Sequence, residues 1–341
     1  MSGSATVRVM SAEEITALGT SEVPPLRLPD RATCFAEREM RLRQLSRQHA
    51  MGDFLAFMAE MAHAQQQALR DMAAVPLPTV DALSKATLRG QAALSTDDWP
   101  RDPAWQIALH AIVAAVLPKA PPATQGALQT LLDADPEWLD SQADGVLAGA
   151  PLDLAHAPLI GAALQVYWTH MVTSVQARHP DIRPDSLFGR TDDASRCPCC
   201  GAPPVASITR TCGGAMAQRY LHCSLCGSEW HLQRTQCPHC LARGKLAYQS
   251  IELADTAPLT EGEASRAAKA ALQAEECEAC NHYLKILHTD RDPFLDPVAD
   301  DLASLTLDLL MTEVGKQRHG QNLALVFHDD GTAPPPERGP T

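Results

Sequence analysis

The sequence predicts an α+β chain: an all-helical N-terminal domain, two small β modules each built on four cysteines in the manner of a zinc ribbon, and a C-terminal helix packing back on the fold. Three observations carry this. Aromatics are only 4% of the 341 residues while Ala and Leu abound, which favours helix over an all-β architecture. Prolines 76, 78, 100, 103, 118, 121, 122, 136, 151 and 158 cut the first half into helix-length pieces, since proline lacks a backbone donor. Four Cys-x-x-Cys pairs, Cys197/Cys200, Cys223/Cys226, Cys237/Cys240 and Cys277/Cys280, take eight of the eleven cysteines, all in the second half.

The helical domain is read as residues 1–185. From Cys34 to Leu69 the pattern is helical, with Phe54, Met58 and Met61 flanked by Leu55 and Ala62 on a core-facing stripe. Asp102-Pro103 and Asp135-Pro136 fit helix starts, with aspartate as cap and proline in the first turn. Trp105, Ile107, Ile112 and Val116 fall on apolar faces. Between Pro158 and Val175, Leu159, Ala163, Val166 and Met171 recur along one side, and His170 is read as a packed or exposed histidine. The polar stretch from Arg178 to Ser195 reads as a linker, with a boundary near 186. The first ribbon is placed at 186–234, with strands at Val205–Arg210, Arg219–His222 and Glu229–Leu232 and a turn at Gly213-Gly214. The second, at 235–289, takes strands from Lys245 to Leu253 and from Tyr283 to Leu287. A final helix, within 290–328, runs through Val298, Leu302, Leu305 and Leu309, with Asp300-Asp301 near its positive end. Residues 329–341 read as a flexible tail.

A net charge of −13 argues against a general nucleic-acid or anionic-membrane binder, which needs a basic field to displace counterions. Locally the balance differs: between Arg190 and Lys245 there are seven Lys/Arg and three Asp/Glu, a charge run whose simplest reading is a solvated face. The N-terminal residues lack an apolar stretch of signal-peptide length, and no run approaches the roughly eighteen apolar residues of a membrane span. The expectation is a cytoplasmic protein with reduced thiols and no disulfides.

Two thiolates on one tight turn can bite one ion, and two such turns complete a tetrahedral shell around Zn²⁺ or iron. Eight ligands, Cys197, Cys200, Cys223, Cys226, Cys237, Cys240, Cys277 and Cys280, therefore suggest two ions, paired sequentially as the first four and the last four, with an interleaved cross-brace as the other arrangement that spacing permits. A shell closed by protein leaves no position for water or substrate, so such sites build structure or carry electrons. A module of about fifty residues buries too little to hold itself, so its ion should supply on the order of 10 kcal/mol of folding energy. Gly201 and Gly227 follow two of the pairs and tolerate the unusual φ of a metal knuckle; Leu241 and Asn281 stand in the other two, asparagine being the better substitute. Cys237-Pro-His-Cys240 also matches the dipeptide of oxidising dithiol enzymes, although such a site needs its first cysteine at a helix N-terminus. Cys199 and Cys212 are spare thiols, Cys34 a core residue, and His222, His231, His239 and His282 neighbours rather than ligands.

Residues from Arg196 to about Phe327 resemble the FdhE family. The resemblance rests on Arg219-Tyr-Leu-His-Cys-Ser-Leu-Cys226 with Glu229-Trp-His231, on Cys277-Glu-Ala-Cys280 running into Tyr283-Leu-Lys-Ile-Leu287, and on Pro297-Val-Ala-Asp-Asp-Leu-Ala-Ser-Leu305. Phe54-Leu-Ala-Phe57 and Ala162-Ala-Leu-Gln-Val-Tyr-Trp168 agree in the helical half, whereas Cys199 departs from the family pattern. The resemblance implies a cytoplasmic maturation factor, a chaperone and not an enzyme, needed for active respiratory formate dehydrogenase and contacting its catalytic subunit. It implies iron in paired rubredoxin-like knuckles, with zinc the other metal to weigh. The ribbons and the basic surface at Arg196, Arg210 and Arg219 are then expected to dock the client, without nucleic acid or membrane insertion; homodimerisation stays open. The competing classes are a nucleic-acid-binding zinc ribbon and a thiol-disulfide oxidoreductase using Cys237/Cys240.

Overall fold

The computed structural model describes residues 23–211, 217–251 and 270–325. Its helical body begins with α1 (Cys34–Ser46) and α2 (Gly52–Asp71), a pair where the sequence pattern suggested one continuous helix. The chain folds back so closely that a Cβ on Gly52 would lie 2.6 Å from the carbonyl oxygen of Ser46, so glycine fits this corner. After α3 (Val80–Leu88), α4 (Ala104–Val116) starts one residue later than expected, with Pro103 at the cap position, and Asp102 Oδ1 accepts from the Ala104 N–H at 2.9 Å. Trp105, Ile112 and Val116 of α4 are buried, but Ile107 is 70% exposed. Following α5 (Pro122–Asp133), α6 (Pro136–Leu147) is capped by Asp135, which accepts from the Trp138 N–H at 2.9 Å.

Helix α7 (Ala157–Arg178) is the axis of the molecule. Every residue from Leu159 to Val172 is buried, where the sequence promised a single apolar stripe. Helices α2, α4 and α6 cover one side, and the first cysteine ribbon covers another through Gln165 Nε2 donating to the Ser224 carbonyl at 2.8 Å and Thr169 Oγ1 to that of Cys226 at 3.4 Å. His170 is buried here with its Nδ1 accepting from Arg31 Nη1 at 2.9 Å; burial, and then the Arg31 charge, lower its pKa to about 4. The polar stretch after α7 is less of a linker than it looks, since α8 (Pro184–Phe188) buries Leu187 and Phe188.

One sheet crosses both ribbons. Its strands are β1 (Leu26–Arg27), β2 (Pro204–Arg210), β3 (Gln218–Cys223), β4 (Glu229–His231), β5 (Leu246–Gln249), β6 (Leu272–Cys277), β7 (His282–His288) and β8 (Gln317–Arg318). The order is β1-β4-β3-β2-β7-β6-β5, with β8 also on β7. Within each ribbon the pairing is antiparallel; the seam is parallel, with Ser207 opposite Ile286 and Thr209 opposite His288. The Gly213-Gly214 turn, Cys212, the end of the expected strand at Leu253 and the tail lie outside the described residues.

Strand β6 escaped the sequence pattern because it carries Glu275 and Glu276 side by side, yet both are buried against cations. The expected C-terminal helix is two, α9 (Pro297–Leu302) and α10 (Leu305–Glu313). All six residues of α9 are buried, Asp296 capping it through the Val298 and Ala299 amides at 3.0 and 2.7 Å. In α10 the buried residues are Leu307 and Met311, packed with Tyr283 and Ala274, while Leu309 is 66% exposed. The acidic pair does more than meet a helix dipole: Asp300 binds Arg41 at 2.6 Å, and Asp301 binds Arg318 at 2.7 Å and the buried Lys285 at 3.1 Å.

Candidate metal centre

All four Cys-x-x-Cys segments fold into the same knuckle. The residue after the second cysteine has positive φ in each: 78° at Gly201, 71° at Gly227, 61° at Leu241 and 62° at Asn281. That conformation lets the amide of Gly201 donate to the Cys197 carbonyl at 2.8 Å, that of Leu241 to Cys237 at 3.1 Å and that of Asn281 to Cys277 at 3.0 Å. Backbone amides also face the sulfurs, with Leu225 and Cys226 N each 3.4 Å from Cys223 Sγ and His239 N 3.3 Å from Cys237 Sγ. Such amides stabilise a thiolate. In Leu241 the left-handed conformation carries the side-chain strain that glycine avoids.

The knuckles meet in sequential pairs. Cys197, Cys200, Cys223 and Cys226 form one tetrad and Cys237, Cys240, Cys277 and Cys280 another, all sulfurs within a tetrad lying within 4.8 Å of one another. Across the first, Cys197–Cys226 is 3.6 Å and Cys200–Cys223 is 3.4 Å; across the second, Cys237–Cys280 and Cys240–Cys277 are both 3.8 Å. A tetrahedron with metal–sulfur bonds of 2.3 Å has edges of about 3.8 Å, whereas a disulfide is about 2.05 Å. The donor sets therefore fit tetrahedral thiophilic ions, and the described cysteines are free thiols. Electrostatics agree. Burial pushes Cys197, Cys200 and Cys223 well above the usual thiol range; it opposes ionisation of Cys226 too, but hydrogen bonds from Cys197, Cys199, Cys200 and Cys223 outweigh it and hold that pKa well below. Burial thus opposes ionisation at all four thiols, and a cation between the sulfurs would offset it.

The tetrads differ in setting. All four cysteines of the first are buried and belong to the same hydrophobic core as α7, while in the second Cys240 is exposed and Cys280 half-buried. Cys199 is a fifth buried thiol, beside Cys197 and Cys226 but outside the tetrad. Cys237-Pro-His-Cys240 lies in a turn ahead of β5, without the helix N-terminus a dithiol enzyme uses. Of the flanking histidines, His222 pairs with Glu229 at 3.3 Å and His231 rests edge-on against Tyr220.

The expected basic docking face needs correction. Arg219 has no exposed side-chain surface: it binds Glu275 at 2.5 Å and donates to the carbonyls of Gln233 and Gln236 at 2.8 and 2.5 Å. It ties β3 to β6 and to the loop entering the second cage. Arg210 is engaged by Glu229 at 2.5 Å, which leaves Arg196 exposed. Two features went unread in the sequence, the Arg219–Glu275 pair and a stacked pair of rings, His239 and His282, with centroids 3.8 Å apart beside Cys280. The spacing signal for the second was present, because each histidine sits one or two residues from a ligand cysteine.

Family models described as FdhE N-terminal, FdhE central domain and FdhE C-terminal domain match residues 23–183, 196–234 and 235–325. The chain is 35% identical to Protein FdhE homolog of Edwardsiella ictaluri over 93% of this chain and 97% of that one. It is 33% identical to Protein FdhE of Escherichia coli over 95% of this chain and 99% of that one. This chain belongs to the FdhE family. The crystal structure of the FdhE protein from Pseudomonas aeruginosa matches with a TM-score of 0.73 at 34% identity, covering 89% of this chain and 99% of that one. The FdhE central segment supplies the whole first tetrad and the FdhE C-terminal segment the whole second, while the N-terminal segment supplies the helix that buries the first. Among the described residues no helix is long and apolar enough to cross a membrane.

Proposed function

We propose that the protein is a cytoplasmic, chaperone-like assembly factor for respiratory formate dehydrogenase that binds the catalytic subunit through its metal-stabilised ribbons and catalyses no reaction itself. The observation that carries this is the pair of complete four-cysteine tetrads, since a shell closed by protein sulfur leaves no position at which a substrate could bind the ion. Cys197, Cys200, Cys223 and Cys226 hold one ion and Cys237, Cys240, Cys277 and Cys280 the other. Iron is the metal that the family resemblance supports, zinc the alternative; four-thiolate iron can exchange one electron without changing its ligands, whereas zinc cannot. Arg210 and Arg219 being engaged internally, docking falls to the second-tetrad face, where Cys240, Arg234, Arg243 and Lys245 are exposed.

The test is a pull-down from anaerobic extract with the full chain and its Cys240→Ser/Cys280→Ser variant, alongside elemental analysis and an optical spectrum of each. The catalytic subunit should be retained by the parent and lost by the variant. Equal retention by both would remove the docking assignment, and oligonucleotide retention with steep salt dependence or turnover of insulin would favour the two competing classes instead.

A further inference from the structure

The two cages are built alike down to their surroundings. In the first, the residue two beyond the fourth cysteine, Ser228, accepts from Cys226 Sγ at 3.3 Å, and the third position of a knuckle, Cys199, lies beside the same cysteine. The same two positions in the second cage are His239 and His282, and they converge on the equivalent fourth cysteine, Cys280. One ligand atom from each of His239, Cys280 and His282 lies within 4.8 Å of the others. The site also has an orienting hydrogen bond: His282 Nδ1 is 2.8 Å from the Cys280 carbonyl oxygen, and because that oxygen can only accept, Nδ1 carries the proton. In the neutral ring of this tautomer the lone pair is on Nε2, the arrangement in which a histidine binds a transition metal. The rings of His239 and His282 stack at 13° between planes, and His319 closes the cluster with its ring edge-on to His239 at 4.8 Å. Where the first cage has its convergent pair sealed in the core, this one opens outward, His239 being exposed and His282 half-buried.

We propose that His239, Cys280 and His282 form an outer site for a divalent transition-metal ion that shares Cys280 with the second cage and is the route by which that cage's ion enters and leaves. This rests on the reading that the second tetrad holds an ion. Two imidazole lone pairs and one sulfur capture the ion from solution, and the Cys280 thiol releases its proton to water as the metal–sulfur bond forms. Transfer inward would then replace the two imidazoles and one bound water with the sulfurs of Cys237, Cys240 and Cys277, their three protons and the water leaving to solvent, with no change of oxidation state. The three donors leave a position open, so the outer ion keeps a water and is held less firmly than one inside four thiolates.

The experiment uses the full chain loaded with natural zinc and mixed with excess isotopically enriched zinc, with native mass spectrometry following exchange. The parent should carry two ions and exchange one of them, the other staying put over the same interval. In a His239→Phe/His282→Phe variant, which keeps the stacked rings and removes their nitrogens, both ions should remain bound while the exchanging one slows about tenfold or more. Exchange at the parent rate in this variant would overturn the entry site. So would a variant carrying a single ion, which would make the histidines supports of the cage itself. A parent that carries no ion in the second tetrad before mixing would instead sink the reading of that tetrad as a metal cage, a failure distinguishable from that of the route.

Discussion

The two cages share ligands, knuckle turns and sulfur spacing, and differ in what surrounds them. The first is walled by α7 and contributes its cysteines to the main hydrophobic core; the second presents Cys240 to solvent and Cys280 at its rim. Ligand chemistry therefore sets whether an ion can bind, and the packing of neighbouring elements sets what else depends on it. An ion in the first cage would hold together the helical body as well as its own ribbon. One in the second would hold a ribbon whose cysteines are partly open to solvent.

Opening each cage in turn should give the largest difference between them. Cys223→Ser should remove folding energy on the order of 10 kcal/mol from a site continuous with the helical core and so abolish cooperative unfolding of the whole chain. Cys280→Ser should lower metal content by one ion and leave the helical signal nearly intact. Far-ultraviolet circular dichroism with elemental analysis reads both, and helices equally lost in the two variants would show that the cages are not distinct in their reach.

The next effect in size concerns what couples the cages. Burial pushes the Glu275 carboxyl up and the Arg219 guanidinium opposes it, so Arg219→Ala leaves a buried acid without its cation and removes the guanidinium donor from the Leu232, Gln233 and Gln236 carbonyls. A loss of about 3–5 kcal/mol in denaturant unfolding is expected. A loss below about 1 kcal/mol would mean that the ribbons are held together by the β2–β7 seam alone.

The smallest effect tests the turns. Gly227→Ala places a side chain at a φ of 71° with no steric contact closer than 3.5 Å to Pro29, so it should cost about 1–2 kcal/mol from backbone strain alone. Leu241→Gly removes the same strain but also a partly buried side chain packed on the core, and the two changes should cancel to within about 1 kcal/mol. Thermal unfolding at fixed metal content distinguishes the pair; a large loss in Leu241→Gly would make that leucine a packing anchor of the second cage.

Much of the molecule was legible where chemistry is local. The Cys-x-x-Cys spacing specified four knuckles, Asp135 before Pro136 marked a capped helix, and β2, β3, β4 and β7 lie within a residue or two of their alternating segments. What could not be read depends on partners far along the chain. Glu275 is buried because Arg219 is there, Lys285 because Asp301 and Asp308 are, and Ile107 is exposed because neighbouring elements leave its side of α4 uncovered. The break between α1 and α2 turns on a close approach to Ser46 that no periodicity records.

Residue types a few positions apart suffice for the eight thiols, their grouping on tight turns and the helix-then-ribbon order. Packing of remote segments is what fuses the ribbons into one sheet, seals one cage and opens the other, and brings His239 and His282 together over Cys280. Burial and distance between remote segments are properties of the packed chain, fixed by which surfaces α7 and the β2–β7 seam bring together.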